Sequence, residues 1–338
     1  MSLRGRLITL AVVLALAVAG TVTYLVSSRA HETNSIASQQ AVVQTSLAAV
    51  QNDPRIYFRS TVLNDHYGDT SVVALGDPGG PRAFTSIACD RVYATQARLL
   101  CLSTDAGIVT RYAARVYDTK SHGTVATLPL TGIPSRARLS PDGSLAASTS
   151  FTAGDSYAGT AFSTRTVISE IGGGVIGGLE DFSLVHDGVK IKPIDRNYWG
   201  VTFAPDDNTF FATVKFSGHT WLVRGNIAQR TVTTVVEDAE CPSLSPDGVH
   251  LVFKRRGSLP PGQWRLTGYT LATGSVVPLA ETRNVDDQVA WLDADHVMYG
   301  LHRSGTQAAT SDVWSVPADG TGTPTLLIPQ AWSPSLVP

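Results

Sequence analysis

The chain has 338 residues, enough for one large or two medium domains, so a sizeable core is available without help from metals or disulfides. Its formal net charge is −2 and it has no dense run of Lys or Arg, which argues against nucleic acid as a partner. With 43% apolar residues, 30 glycines, 18 prolines and only 16% charged residues, the composition suits many short strands joined by turns.

The N-terminal run Leu7 to Val26 has no charge. At about 1.5 Å per residue it would cover about 30 Å of hydrocarbon, so it is expected to be a transmembrane signal-anchor helix. Arg4 and Arg6 precede it, which places residues 1–6 in the cytoplasm and the rest outside by the positive-inside rule. The expected location is therefore the cytoplasmic membrane, single-pass, with the body on the extracytoplasmic side. Ala17-Val18-Ala19 offers a cleavage site for the competing reading, a removable signal peptide. Residues 27–53 are polar and read as a stalk, with a short helix around Gln40 to Gln51.

Cys89, Cys101 and Cys241 are the only cysteines. The first two lie in strand-like segments, and in an oxidising compartment they are expected to form a disulfide. Cys241 is then left over and expected to be buried.

From Pro54 onward the chain consists of short alternating or β-branched segments separated by turn residues. A turn phrase recurs: Leu139-Ser140-Pro141-Asp142-Gly143, Phe203-Ala204-Pro205-Asp206-Asp207 and Leu244-Ser245-Pro246-Asp247-Gly248. Weaker copies start at Trp291 and Trp332, and the intervals are about 65, 41, 47 and 41 residues, the length of a four-stranded blade with one enlarged member. Proline fixes the first turn position, aspartate accepts from a nearby backbone N–H, and glycine permits a positive φ. A second phrase of strand, polar turn and strand recurs in phase at Val116-Tyr117-Asp118-Thr119, Tyr269 to Gly274 and Val313 to Gly320.

These phrases resemble the TolB-like, or WD40-like, β-propeller repeats of bacterial exported proteins. The resemblance covers most of residues 54–338 and implies a propeller. Known roles in that family include interaction platforms and the propeller halves of some peptidases. The expected fold class is all-β: a six-bladed β-propeller with four-stranded blades, preceded by one N-terminal transmembrane helix. Residues 54–338 form the propeller, closed by a C-terminal strand that supplies the missing inner strand of the first blade. The other blades are placed at about 85–137, 138–200, 201–243, 244–290 and 291–330. A seven-bladed ring and a β-sandwich are the competing architectures.

The chain has no G-x-S-x-G elbow, no H-E-x-x-H and no C-x-x-C, and no cofactor or metal is expected. Gly172 to Gly178 formally contains G-x-G-x-x-G, but strand-and-turn sequence follows it, so it reads as a loop able to cover one mouth of the channel. Residues just before each inner strand converge at a channel mouth. The candidate binding residues are therefore Arg136, Arg138, Trp199, Glu240, Asp286, Asp287 and Gln288. Glu237, Asp238 and Glu240 with Asp286 and Asp287 make an acidic patch whose oxygens, if they met, would be able to hold Ca²⁺. Lys254, Arg255 and Arg256 read as a solvent-facing basic turn. Trp291, Trp314 and Trp332 are expected to pack between blades.

The function this reading supports is noncatalytic: a membrane-tethered module binding an envelope protein or cell-wall component. The alternative is a propeller hydrolase or lyase acting on an envelope glycan or lactone.

Overall fold

The computed structural model describes residues 42–152 and 162–338, together with residues 9, 13–14 and 16–24 of an N-terminal helix. The described body is all-β, with six sheets arranged as propeller blades. From the channel outward, blade 2 is Arg91–Ala94, Arg98–Ala106, Thr110–Asp118 and Thr124–Leu128. Blade 3 is Ile133–Leu139, Leu145–Phe151, Thr164–Glu170 and Gly174–Gly178. Blade 4 is Asn197–Phe203, Thr209–Phe216, His219–Asn226 and Thr231–Glu237. Blade 5 is Glu240–Leu244, His250–Arg255, Arg265–Thr270 and Val276–Pro278, and blade 6 is Ala290–Trp291, His296–His302, Ser311–Pro317 and Thr325–Ile328.

Blade 1 joins the two ends of the ring. The C-terminal strand Ala331–Val337 pairs antiparallel with Arg55–Ser60, which is followed outward by Asp69–Ala74 and Arg82–Ala88. The pairing covers the edge that Arg55–Ser60 would otherwise expose.

The repeated turn phrases join each inner strand to the second strand of its blade. In blade 3, Asp142 Oδ1 accepts from Ser140 Oγ at 2.6 Å and from Ser144 N–H at 2.8 Å, while Gly143 takes φ +75°. In blade 4, Asp206 accepts from the N–H groups of Asn208 and Thr209 at 3.1 and 2.7 Å. The inner strand thus precedes the phrase, and each blade begins several residues before the turn, not at it.

Two length irregularities have structural causes. The extra residues expected to enlarge blade 3 form a hairpin, Ser183–His186 and Val189–Ile191, that extends blade 4 instead. Ser183–His186 pairs parallel with the outer strand Thr231–Glu237. The glycine run is no channel lid: Gly174–Gly178 is the outer strand of blade 3, paired with Thr164–Glu170.

Alternation along the strands buries one side chain set against each neighbouring blade. The largest cluster lies between blades 3 and 4, with Leu145, Ile168, Tyr198, Phe210 and Val223, and the docked hairpin adds Leu184. Trp291 and Trp332 are buried, and Trp314 is half-buried beneath the Arg283 guanidinium, 3.9 Å from its ring. Cys89 and Cys101 form a disulfide with a Cα–Cα distance of 5.4 Å, and Cys241 is free and buried.

The N-terminal expectations need correction. Among the described residues no helix is long and apolar enough to cross a membrane. The transmembrane helix at 7–26 is therefore corrected, and with it the membrane tether, the membrane as a partner and the single-pass location. The expected cytoplasmic tail 1–6 and the first part of the stalk, 27–41, lie outside the described residues. Residues 42–50 lie against blade 1: Thr45 N–H donates to Arg82 O and Arg82 N–H to Val43 O, each at 3.0 Å, and Val50 is buried. Only Leu47–Ala49 is helical there, as a single 3₁₀ turn.

Candidate functional site

At the upper mouth, where the inner strands begin, the channel is filled by one segment. Asp286, Asp287 and Gln288 sit in the connection between blades 5 and 6, and their side chains reach five blades, 2 to 6. Asp287 Oδ1 accepts from Arg91 Nη1 of blade 2 at 2.9 Å, while its Oδ2 accepts from Gly300 N–H at 3.0 Å. Asp286 Oδ1 accepts from Arg136 Nη2 of blade 3 at 3.2 Å and from Lys254 Nζ of blade 5 at 2.7 Å. Gln288 Nε2 donates to Val201 O of blade 4 at 3.0 Å and to Pro242 O of blade 5 at 2.8 Å. Arg138 Nη2 donates to Val289 O at 3.1 Å. A void of about 20 Å³ remains among Arg91, Arg136, Asp287 and Gln288, room for about one water.

The charges in this plug are tuned by one another. Burial would raise the Asp286 carboxyl, but Lys254 and Arg136 hold it far below the usual carboxylate range. Burial would lower the Lys254 ammonium, but Asp286, Cys241 and Glu240 together more than offset that and hold it above its usual range. The Glu240 carboxyl is pushed up by burial, with Lys254 and the Trp264 N–H acting against the shift.

Beside the plug, between blades 4 and 5, the upper face opens into a pocket of about 520 Å³. Phe162, partly exposed, and Trp264, 5% exposed, form its aromatic part, backed by the fully buried Trp199, whose ring lies 5.2 Å from that of Phe162, edge to face. Trp264 Nε1 donates to Glu240 Oε1 at 2.8 Å, and Lys254 Nζ lies 4.1 Å from the Trp264 ring on the plug side. Lys215, His219, Glu237, Asp238 and Arg256 complete the lining, so an aromatic floor carries a mixed-charge rim.

The seven expected site residues therefore fall into two connected groups. Arg136, Arg138, Asp286, Asp287 and Gln288 come together in the plug, whereas Trp199 and Glu240 line the open pocket. The acidic patch that would suit Ca²⁺ is divided among other partners. Glu237 pairs with His219, Asp238 accepts from Arg255 Nε and the N–H groups of Arg256 and Gly257, and the two plug aspartates are held by cations. Among the described residues no group of three or more His, Cys, Asp or Glu is placed to hold a metal.

Three contributors were missed: Arg91, Lys254 and Trp264. Lys254 is fully buried and not part of a surface turn. Its one available signal was strand alternation, which puts it on the same side as Val252 and opposite Arg255.

No protein-family model matches the chain, and no curated protein matches it in sequence. Solved structures do match its shape. The chain is similar to TolB from Acinetobacter baumannii, with a TM-score of 0.60 at 16% identity, covering 84% of this chain and 66% of that one. It is also similar to a chain of a nidogen/laminin complex, with a TM-score of 0.53 at 10% identity, covering 84% of this chain and 97% of that one. The chain thus spans just under two thirds of the A. baumannii TolB. At such identities the likeness is one of fold, and on that level the chain is a TolB-like six-bladed β-propeller.

Proposed function

We propose that the protein is a noncatalytic binding module that holds a segment of a protein partner in the pocket between blades 4 and 5. The observation that carries this reading is the contrast between the two parts of the upper face. The acids and bases at the channel are engaged with one another in a filled plug, whereas the adjoining pocket is open, aromatic and rimmed by both signs of charge. Aromatic floors with polar rims are what protein-binding hot spots offer. A hydrolase or lyase would need an acid and a base facing a substrate-sized space. Asp286 and Asp287 are held by Arg and Lys in the plug, and of the acids that line the pocket Glu237 is paired with His219, Asp238 with Arg255 and two backbone N–H groups, and Glu240 with the Trp264 N–H. The Cys89–Cys101 disulfide supports work in an oxidising compartment, where partners are exported proteins.

The test is site-specific photo-crosslinking in cells. A photoreactive residue replaces His219 or Arg256 at the pocket rim, with a control at Asp247 on the opposite face. The expected result is one partner captured from both rim positions and not from the control. Capture from Asp247 alone would move the binding face. Turnover of an envelope glycan or lactone that is lost in a Glu240→Gln variant would replace this reading with the enzymatic one.

A further inference from the structure

The lower mouth, where the inner strands end at the repeated turns, opens into a second cavity of about 430 Å³. It is separated from the upper pocket by the plug and plays no part in the reading above. All six blades contribute to its wall, through Tyr93, Leu139, Phe203, Leu244, Trp291 and Leu336. This volume and this apolar lining fall within the range of small-molecule sites, about 300–1,000 Å³ with a few placed polar groups.

The charged side chain in its lining is Arg138, which lines both the inner end of the cavity and the plug above it, beside the polar Thr95, Gln96, Thr202, Ser243 and Ser245. It is 5% exposed, and its guanidinium lies over the Tyr93 ring, 4.5 Å from the centroid. Nη2 is satisfied by Val289 O, but the buried Nε has no hydrogen-bond partner, and no carboxylate among the described residues pairs with this side chain. The nearby carboxylates are engaged elsewhere: Asp287 by Arg91, Asp286 by Arg136 and Lys254, and Glu240 by Trp264. Arg91, Arg136 and Lys254 each pair with a plug aspartate, and Arg138 is the one of these four cations with no ion pair to an acid among the described residues. A buried charge without a counter-charge is costly, and a guanidinium is shaped to take a carboxylate through two parallel hydrogen bonds.

We propose that the lower cavity binds an amphiphilic monoanion, a carboxylate on an apolar body, with its head on Arg138 and its body against the six-blade apolar wall. The Arg138 guanidinium, without an ion-pair partner, suits one carboxylate head, and the apolar side chains of the wall suit a hydrocarbon body better than they suit an inorganic anion.

Isothermal titration of the full chain with decanoate below its micellar range tests this, with decanol as the tail alone and acetate as the head alone. Decanoate should bind saturably at one per chain, at least tenfold tighter than either control. Arg138→Met should bring decanoate down to the level of decanol while the near-UV circular dichroism is unchanged. The proposal is overturned by absence of saturable decanoate binding, by decanol or acetate binding as tightly, or by a folded Arg138→Met variant that keeps the preference. If that variant does not fold, the three-ligand comparison on the unaltered chain decides alone. The outcome is independent of crosslinking at the upper pocket, so the two readings fail separately.

Discussion

Ser335 of the C-terminal strand holds Ala94 of blade 2 from both sides: its Oγ donates to Ala94 O and accepts from Ala94 N–H, each at 2.9 Å. Ser333 does the same for Val92, at 3.0 and 3.1 Å. The inner strands of neighbouring blades cannot form a continuous ladder, so serine hydroxyls satisfy buried backbone groups across the gap. Ser335→Ala leaves the buried N–H and C=O of Ala94 without partners. It should lower unfolding free energy by about 2 kcal/mol, given about 1–3 kcal/mol for a stranded buried group. Urea denaturation measures this directly, and a loss under about 0.5 kcal/mol would show that the hydroxyl is not needed for closure.

The Asp286 plug should show itself in mutants and in pH. Removing one partner of a fully buried pair costs about 3–5 kcal/mol, but Asp286 keeps 40% of its side-chain surface exposed, so screening reduces the effect. Asp286→Ala should cost about 2 kcal/mol, and a double-mutant cycle with Lys254→Met should reveal a coupling of about 1 kcal/mol or more.

The same pair sets the pH range of that stability. Asp286 is depressed in the folded state, so its contribution is present above the unfolded carboxylate value near about 4 and is lost as pH falls toward the folded one. Lys254 is raised, so its contribution is complete below the unfolded ammonium value near about 10.4 and is lost as pH rises through the folded one. The urea midpoint should therefore fall below about pH 4, and Asp286→Ala should make that acid limb shallower. An unchanged limb in the variant would assign acid sensitivity to other carboxylates.

The architecture was legible because propeller blades repeat their turn chemistry in the sequence. Ser140 to Gly143 and Ser245 to Gly248 each close through an aspartate that accepts from a hydroxyl and a backbone N–H, and such local geometry leaves local residue choices. Blade 2 lacks the phrase because its first turn is built by Thr95, whose N–H and hydroxyl both reach Arg98 O, a solution with no fixed motif. The convergence of Arg136, Arg138, Asp286 and Asp287 was legible from their position before or within inner strands. Their partners were not, since Arg91 meets Asp287 across a sequence separation of 196, and ring closure brings such residues together without any spacing rule. A cluster of acids in sequence says nothing of cations arriving from other blades.

The disulfide should carry a measurable share of stability at the junction of blades 1 and 2. Cys89 and Cys101 are 12 residues apart, and a loop of about 15 residues corresponds to about 3 kcal/mol in the chain-entropy model. Reduction, or Cys89→Ser with Cys101→Ser, should lower the thermal midpoint by several degrees, read by calorimetry with and without reductant. A shift in the reductant-treated variant equal to that of the unaltered chain would point to an effect other than this bond.

Gly200 offers the sharpest test of how the upper pocket is positioned. It takes φ +68°, and the pairing of its strand with Thr209–Phe216 slips between Trp199 and Thr202. On the neighbouring inner strand, Cys241 takes φ +51° and the pairing slips between Glu240 and Ser243. The two irregularities face each other: a Cβ on Gly200 would lie 2.7 Å from Cys241 Cα, a backbone atom that cannot swing aside. These are the kinks that set Trp199 and Glu240 on the pocket. Gly200→Ala combines a left-handed backbone penalty of about 1–2 kcal/mol with overpacking of about 1–3 kcal/mol, so a loss of about 3 kcal/mol is expected. Gly248→Ala is the control: its φ is +73° with open space around the added carbon, so it should cost only about 1 kcal/mol. Equal losses in the two variants, measured by urea denaturation, would mean that backbone conformation alone accounts for Gly200 and that the contact with Cys241 does not position the pocket.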